Sequence, residues 1–277
     1  MKNAILYFVF FIGISSYGQS KIKRAEESLK EKEDTIKSYN TNYSSNEDND
    51  NNSNNDFLTE LVGGVFVQIF AYTAYGIAFE SPFEEEHQAS NAYLSKYPYF
   101  NSKKGNYTYE WNKDTPIFRT SLSARYIMEN SRLKGSQLNM DMRFLKRLGL
   151  ELNYLQLWEN NPNFGKDHLA IYTALAKYHR VRTEKFNAWW GLGATYVNGA
   201  VNELGLTYGL GAELFFAKPL SLEINFNQTF INSESIDKFN ALINYHIKKH
   251  KLIMGYEYLQ IGNQNFSTPT LGVGLFF

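Results

Sequence analysis

Apolar and polar residues alternate along most of the second half of the chain. Between Leu204 and Leu214 the even positions hold Leu204, Leu206, Tyr208, Leu210, Ala212 and Leu214, and the odd ones hold Gly205, Thr207, Gly209, Gly211 and Glu213. A period of two is that of a β-strand, whose successive side chains point to opposite faces. The next segment sets Leu220, Leu222, Ile224 and Phe226 against Ser221, Glu223, Asn225 and Asn227, and the last sets Leu271, Val273, Leu275 and Phe277 against Gly272, Gly274 and Phe276. In a soluble sandwich the apolar face is the packed core and the polar face meets water. Here the apolar face is large and aromatic, while the polar face mixes Gly, Asn, Thr and isolated charges. That combination suits a closed barrel with lipid outside and a polar interior.

Followed from Pro116 to Phe277, the pattern predicts an all-β antiparallel barrel of about ten strands, within a range of eight to twelve. Inward positions are Arg119, Ser121, Ser123 and Arg125 on the first strand, Gln137, Asn139, Asp141 and Arg143 on the second, and Glu151 and Asn153 on the third. The fifth points Lys185, Asn187, Trp189, Gly191, Gly193 and Thr195 inward, the eighth Lys238, Asn240, Asn244 and His246, and the ninth Gly255 and Glu257. The fourth, near 167–179, alternates poorly, because Leu169, Ile171 and Leu175 oppose Ala170, Tyr172 and Tyr178, and its facing stays open. The predicted connections alternate between short ones (145–148, 179–183, 217–219, 248–251) and longer ones (129–133, 160–166, 198–202, 231–235, 262–269). Short periplasmic turns and longer outer loops are the outer-membrane arrangement.

The first half reads differently. Residues 1–18 form a signal peptide pattern: Lys2, an apolar run from Ile5 to Ile14, and Ser16-Tyr17-Gly18 as a small-x-small cleavage site. Residues 19–56 are charged and then almost entirely Asn, Asp and Ser, too polar to offset the entropy of ordering, and are expected to be a disordered linker. Within it, residues 21–39 allow a transient helix with little apolar face to bury. In 57–80, Leu58, Leu61, Val62, Val65, Ile69 and Phe70 recur at helical spacing and predict an amphipathic helix at the interface or against the barrel end; β-branched Val65 to Ile69 leaves an extra strand pair as the alternative. Residues 81–115 look irregular and are expected to pack over or into a barrel mouth.

The absence of cysteine from 277 residues excludes disulfide frameworks, thiolate metal sites and a cysteine nucleophile. A formal charge of zero recommends no nucleic-acid partner. Aromatic residues reach 16%, with 20 tyrosines, as interfacial aromatic girdles require.

Strand direction places Arg119, Asp141, Arg143, Glu151, Lys185, Glu213 and Glu223 in the periplasmic half of the lumen, with Glu257 nearer the middle. Arg125 also faces inward, and Lys177 joins them if its strand faces as its polar residues suggest. Buried charges are costly unless paired, so this balanced set is expected to form a cross-lumen network that constricts a narrow barrel. The other half of the lumen is lined by Gly191, Gly193, Gly205, Gly209, Asn225 and Asn227, leaving space for water, a ligand or a chain segment unless the glycines serve strand curvature. No catalytic constellation emerges. Asp167 and His168 are adjacent on a strand and so point to opposite faces, no nucleophile accompanies them, and His246 and His250 flank a basic turn where water or phosphate would meet them. No metal site or cofactor is expected.

By its signal pattern, its repeated alternating segments and its terminal Gly272-Val273-Gly274-Leu275-Phe276-Phe277, the chain resembles the small bacterial outer-membrane β-barrel superfamily over roughly 116–277. The resemblance implies an outer-membrane location and recognition of the last strand, with Phe277, Leu275 and Val273, by the barrel-assembly machinery. Outer-membrane lipid is the expected surrounding, and an envelope protein or small ligand a further partner. Adhesins, anchors, small channels, lipid-modifying enzymes and proteases all occur in that superfamily. A helix before a small barrel also resembles the lipid A palmitoyltransferase in arrangement, but that family's catalytic residues have no match here. The expected role is non-enzymatic, in envelope structure, attachment or surface binding, with a narrow solute channel as the alternative and a lipid-modifying enzyme as a further one.

Overall fold

Alternation is what the chain uses to close on itself. A computed structural model describes residues 20–30, 92–100, 105–111, 115–145, 147–161, 165–232 and 234–277. Ten of its strands are long: β3 (Phe118–Met128), β4 (Leu133–Phe144), β5 (Leu148–Asn161), β6 (Gly165–Arg182), β7 (Phe186–Asn198), β8 (Asn202–Ala217), β9 (Leu220–Ile231), β10 (Glu234–Ile247), β11 (His250–Ile261) and β12 (Gln264–Phe276). Each pairs antiparallel with its sequence neighbours, and β12 returns to β3 through Thr270↔Ile127 to Phe276↔Ser121, so the barrel closes and no sheet edge stays open. Before them lie α1 (Lys21–Leu29) and a two-stranded sheet of β1 (Tyr93–Leu94) and β2 (Tyr107–Thr108). The expected signal peptide and the helix at 57–80 lie outside the described residues.

We call the end of the barrel where β3 starts and β12 finishes the near end, and the opposite one the far end. The strand ends leave two to four residues at every connection of both ends, so the expected contrast between short turns and long loops is absent. The reason lies in the far ends of the strands. There the inward side chains turn apolar: Ile127, Leu133, Leu155, Leu157, Leu169, Ile171, Val197, Ile231, Ile236, Leu259, Ile261 and Phe266 are all buried. An outward-apolar pattern that inverts at one end reads as a strand that has stopped. Residues 264–269 are accordingly strand, with Phe266 buried inside, where the sequence suggested loop. The same inversion explains β6, whose Leu169, Ile171 and Leu175 face inward together with Lys177 and His179.

The outer wall over the rest of the barrel is an apolar belt. Leu122, Leu138, Leu152, Leu192, Leu206, Phe230, Met254, Leu271 and Val273 are each 40–66% exposed, facing away from the lumen. So large a contiguous apolar surface has no counterpart on a soluble monomer.

The inward apolar ring at the far end is covered by α1. Ser20 caps this helix by accepting from the Lys23 backbone N–H at 3.2 Å, and Ile22, Ala25 and Leu29, spaced along one face, are all 0% exposed. They join the far-end residues in one hydrophobic cluster. Over 20–30 the expected disorder, or transient helix with little to bury, is replaced by a docked helix, and the rest of the expected linker lies outside the described residues. Three apolar residues on one face are too few for an isolated helix, but enough when the surface they meet is itself an apolar ring in need of cover. The near end is covered by residues 92–100 and 105–111. Arg119 Nη1 and Arg182 Nη1 donate to the carbonyls of Ser95 (2.9 Å) and Ala92 (3.0 Å), and the Tyr99 hydroxyl donates to the Leu220 carbonyl (2.5 Å).

Candidate functional site

Between these two covers the lumen is built in layers. Beneath the apolar far end, Thr173, Thr195, Thr207 and Thr229, contributed by four neighbouring strands, link hydroxyl to hydroxyl at 2.7–3.1 Å. Thr195, Thr207 and Thr229 are buried. Each hydroxyl can both donate and accept, so a layer of this kind satisfies itself without water.

Below the threonines stands the charged layer. Lys177, 4% exposed, reaches Asp141 and, at 2.9 Å, Glu151, which also accepts from Asn139 Nδ2 at 2.8 Å. Asp141 is shared with Arg143 Nε at 3.3 Å, and Arg143 Nη1 donates to the Tyr107 hydroxyl at 2.8 Å, which ties the charged layer to the near-end cover. Across the barrel, Glu257 lies 3.4 Å from Arg125 and 3.6 Å from Lys238, while Arg125 also donates to Gln137 Oε1 at 2.6 Å. Glu223 faces Lys251 at 3.7 Å and accepts from Asn225 and Asn244, and Glu213 accepts from Ser221 at 2.8 Å. Arg119 is stacked 5.3 Å over Phe276 at the near end. A charge at such low exposure is tolerable only with partners of this density.

The alternation therefore places Arg119, Arg125, Asp141, Arg143, Glu151, Lys177, Glu213, Glu223 and Glu257 inside. Lys185 is the exception: β7 begins at Phe186, so Lys185 sits exposed on the connection from β6, its carbonyl accepting from the Phe215 N–H. Lys251 is the converse. The alternation puts it in the connection 248–251, but β11 begins at His250 and carries Lys251 inward. Lys238 was on the inward face in the sequence pattern without being counted in the network. Arg182 points inward because a bulge between His179 and Val181 shifts the parity of β6. His246 does not meet water. It is 6% exposed, 2.9 Å from Ser221 Oγ, with Tyr99, Phe215 and Phe276 rings 5.7–6.2 Å away.

The glycine-lined space is also filled. A Cβ on Gly211 would lie 2.4 Å from Trp189 Cε2, and one on Gly209 would lie 2.3 Å from Asn227 Oδ1. These glycines are absent side chains into which Trp189 and Asn227 have moved. Trp189 in turn lies beneath the Lys177 ammonium, 4.2 Å from the ring centre. Among the charges lies a cavity of about 60 Å³, room for a few water molecules, and another of about 20 Å³ lies at the threonine layer. Among the described residues no three His, Asp or Glu side chains converge as a metal site. Ser221 is 0% exposed between His246 and Glu213.

Outside the barrel wall, two groups have shifted acidities. Burial of Glu26 on α1 raises its carboxyl above the ordinary 4.5, helped by Asp167 and opposed by a 2.7 Å bond from the Ala200 N–H and by His168 and Lys30. Burial, reinforced by Glu213, pushes the Tyr99 hydroxyl up to about 12.

No family model and no curated protein matches the chain. Solved structures similar to it are bacterial outer-membrane β-barrels. The outer-membrane protein Ail of Yersinia pestis, in a phospholipid bilayer nanodisc, is 15% identical over 57% of this chain and 99% of its own, at a TM-score of 0.33. An outer-membrane channel from Pseudomonas putida is 13% identical over 61% and 100%, at 0.37, and the N-terminal barrel domain of Pseudomonas aeruginosa OprF is 14% identical over 58% and 96%, at 0.28.

Proposed function

We propose that this protein is an outer-membrane barrel closed to solute flow, acting in envelope structure, attachment or surface binding rather than in transport or catalysis. The observation that carries the reading is the filled lumen. α1 covers one mouth, residues 92–100 and 105–111 cover the other, and between them the threonine and charged layers enclose cavities of only about 60 and 20 Å³. The membrane setting rests on the apolar belt. Every backbone group of a closed antiparallel barrel is paired within the sheet, and the belt presents to its surroundings only side chains that lipid accepts. The near end, where both chain ends of the barrel lie, is the side we assign to the periplasm. Leu275 and Val273 on the last strand, and Phe277 just after it, face the lipid side, where the assembly machinery would meet them.

Planar-bilayer recording tests this. The full chain is expected to show no steady conductance, and a variant lacking residues 20–30 is expected to stay silent too, because the charged layer and the near-end cover remain. Steady current through the full chain would overturn the closed-lumen reading. Current only after the deletion would make α1 the seal of a channel.

A further inference from the structure

At the near end, under residues 92–94 and 107–111, a crevice of about 260 Å³ opens beside the apolar belt. Its lip is made of Trp111, Ile117, Leu145 and Leu148, which are 42–80% exposed, and its wall includes Leu94. Its floor is Arg143, His179 and Arg182, the last two each 2% exposed. A pocket that is greasy at its opening and cationic at its bottom is the reverse of an ordinary surface site. It takes a ligand whose polar end goes in first and whose apolar end stays at the lip.

The floor also specifies what that polar end must offer. His179 Nδ1 lies 3.1 Å from Asn187 Oδ1, an acceptor that also receives the Tyr107 hydroxyl at 3.0 Å. The proton of neutral His179 is therefore on Nδ1, and Nε2 is a bare acceptor; it is buried and has no hydrogen-bond partner. Two guanidinium groups that donate and one imidazole nitrogen that accepts are matched together by a carboxyl group that brings one proton, held between one of its oxygens and Nε2 while both oxygens accept from the guanidinium groups. A phosphodiester headgroup has no such proton and would have to bring glycerol and two chains past the lip. A single chain ending in a carboxyl group passes.

We propose that this crevice binds a long-chain fatty acid head first, its carboxyl group on Arg143, Arg182 and His179 and its tail leaving over Ile117 and Leu148 toward the surrounding lipid. The binding does not depend on whether the lumen conducts, so its test is separate from the bilayer recording.

The test is retention of radiolabelled oleate by the purified full chain in dodecyl maltoside micelles, with methyl oleate and dioleoyl phosphatidylglycerol as competitors at equal mole fraction. Saturable binding of one oleate per protein is expected. Methyl oleate should compete about tenfold less well, the scale of a lost charge-assisted hydrogen bond. Leu145→Trp, a change at an exposed position that narrows the lip without touching the floor, should weaken binding by a similar factor. Equal competition by the methyl ester would show partition into the belt or micelle alone and overturn the proposal. Preferential competition by phosphatidylglycerol, or unchanged binding in Leu145→Trp, would overturn it as well.

Discussion

Lys177 stands between two carboxylates with almost no water, and its ammonium has no alternative solvation. Replacing it by methionine leaves Asp141 with Arg143 as partner and Glu151 with Asn139. Removing one member of a buried ionic cluster costs roughly 3–5 kcal/mol, because the remaining charge stays desolvated. Urea unfolding of Lys177→Met in lipid vesicles should show a loss of that order, and a loss below about 1 kcal/mol would mean that water already reaches the cluster, as it does for surface pairs. Glu26 makes a second prediction at this scale, from the opposite sign of effect. Its carboxyl binds a proton more tightly when α1 is docked than when it is free, so docking is fully favoured below about 4.5 and weakens as pH rises through the raised docked value. A dye on Lys23→Cys, in a chain with no cysteine of its own, should report rising mobility of α1 across that interval. Glu26→Gln keeps an oxygen for the Ala200 N–H and should abolish the pH dependence.

Among the elements, α1 is the one whose energetics are simplest, since three side chains carry its apolar contact. Ile22→Ala or Leu29→Ala should each weaken docking by about 2–5 kcal/mol, the usual loss for truncating a fully buried aliphatic side chain. Faster trypsin cleavage after Lys23 and Arg24 would record it. The strands show how far sequence reading reaches. Where the lipid-side apolar rule holds, as over 186–196 in β7 and 204–214 in β8, the residues that face inward were legible one by one. Where the inward face is itself apolar, as at Leu155, Leu157, Leu169 and Phe266, the rule gave no contrast and the strand ends were misplaced. An error of one residue at the start of β7 and two at the start of β11 was enough to exchange Lys185 for Lys251 in the lumen. α1 was hidden for a different reason: its three apolar residues mean little until the ring they cover is known, and that ring comes from strands more than a hundred residues away. The His179 bulge, which turns Arg182 inward, has no signature in alternation at all.

At the scale of the whole molecule, the two covers lie at opposite mouths. Lys21 pairs with Glu129 at 2.5 Å, and the Leu29 carbonyl accepts from Asn232 at 2.9 Å, both at far-end connections, whereas the Asn106 N–H donates to the Glu184 carbonyl at a near-end connection. In a barrel that spans a membrane, residues 20–30 and the near-end cover of 92–100 and 105–111 therefore belong to different sides, although one chain joins them. With the near end in the periplasm, α1 is displayed at the cell surface. Single cysteines make this directly measurable. Lys23→Cys and Ala200→Cys, both exposed at the far end, should react with a membrane-impermeant maleimide in intact cells at similar rates, while Lys185→Cys at the near end should react only after the outer membrane is permeabilised. Labelling of all three in intact cells would remove the membrane-spanning reading. Labelling of Lys185→Cys alone would invert the orientation and place the far end in the periplasm. If Ala200→Cys reacts and Lys23→Cys does not, α1 is on the periplasmic side in the cell. The far-end ring of Ile127, Leu155, Leu169 and Phe266 would then stand uncovered at the surface, an apolar socket of helix width for a partner to fill.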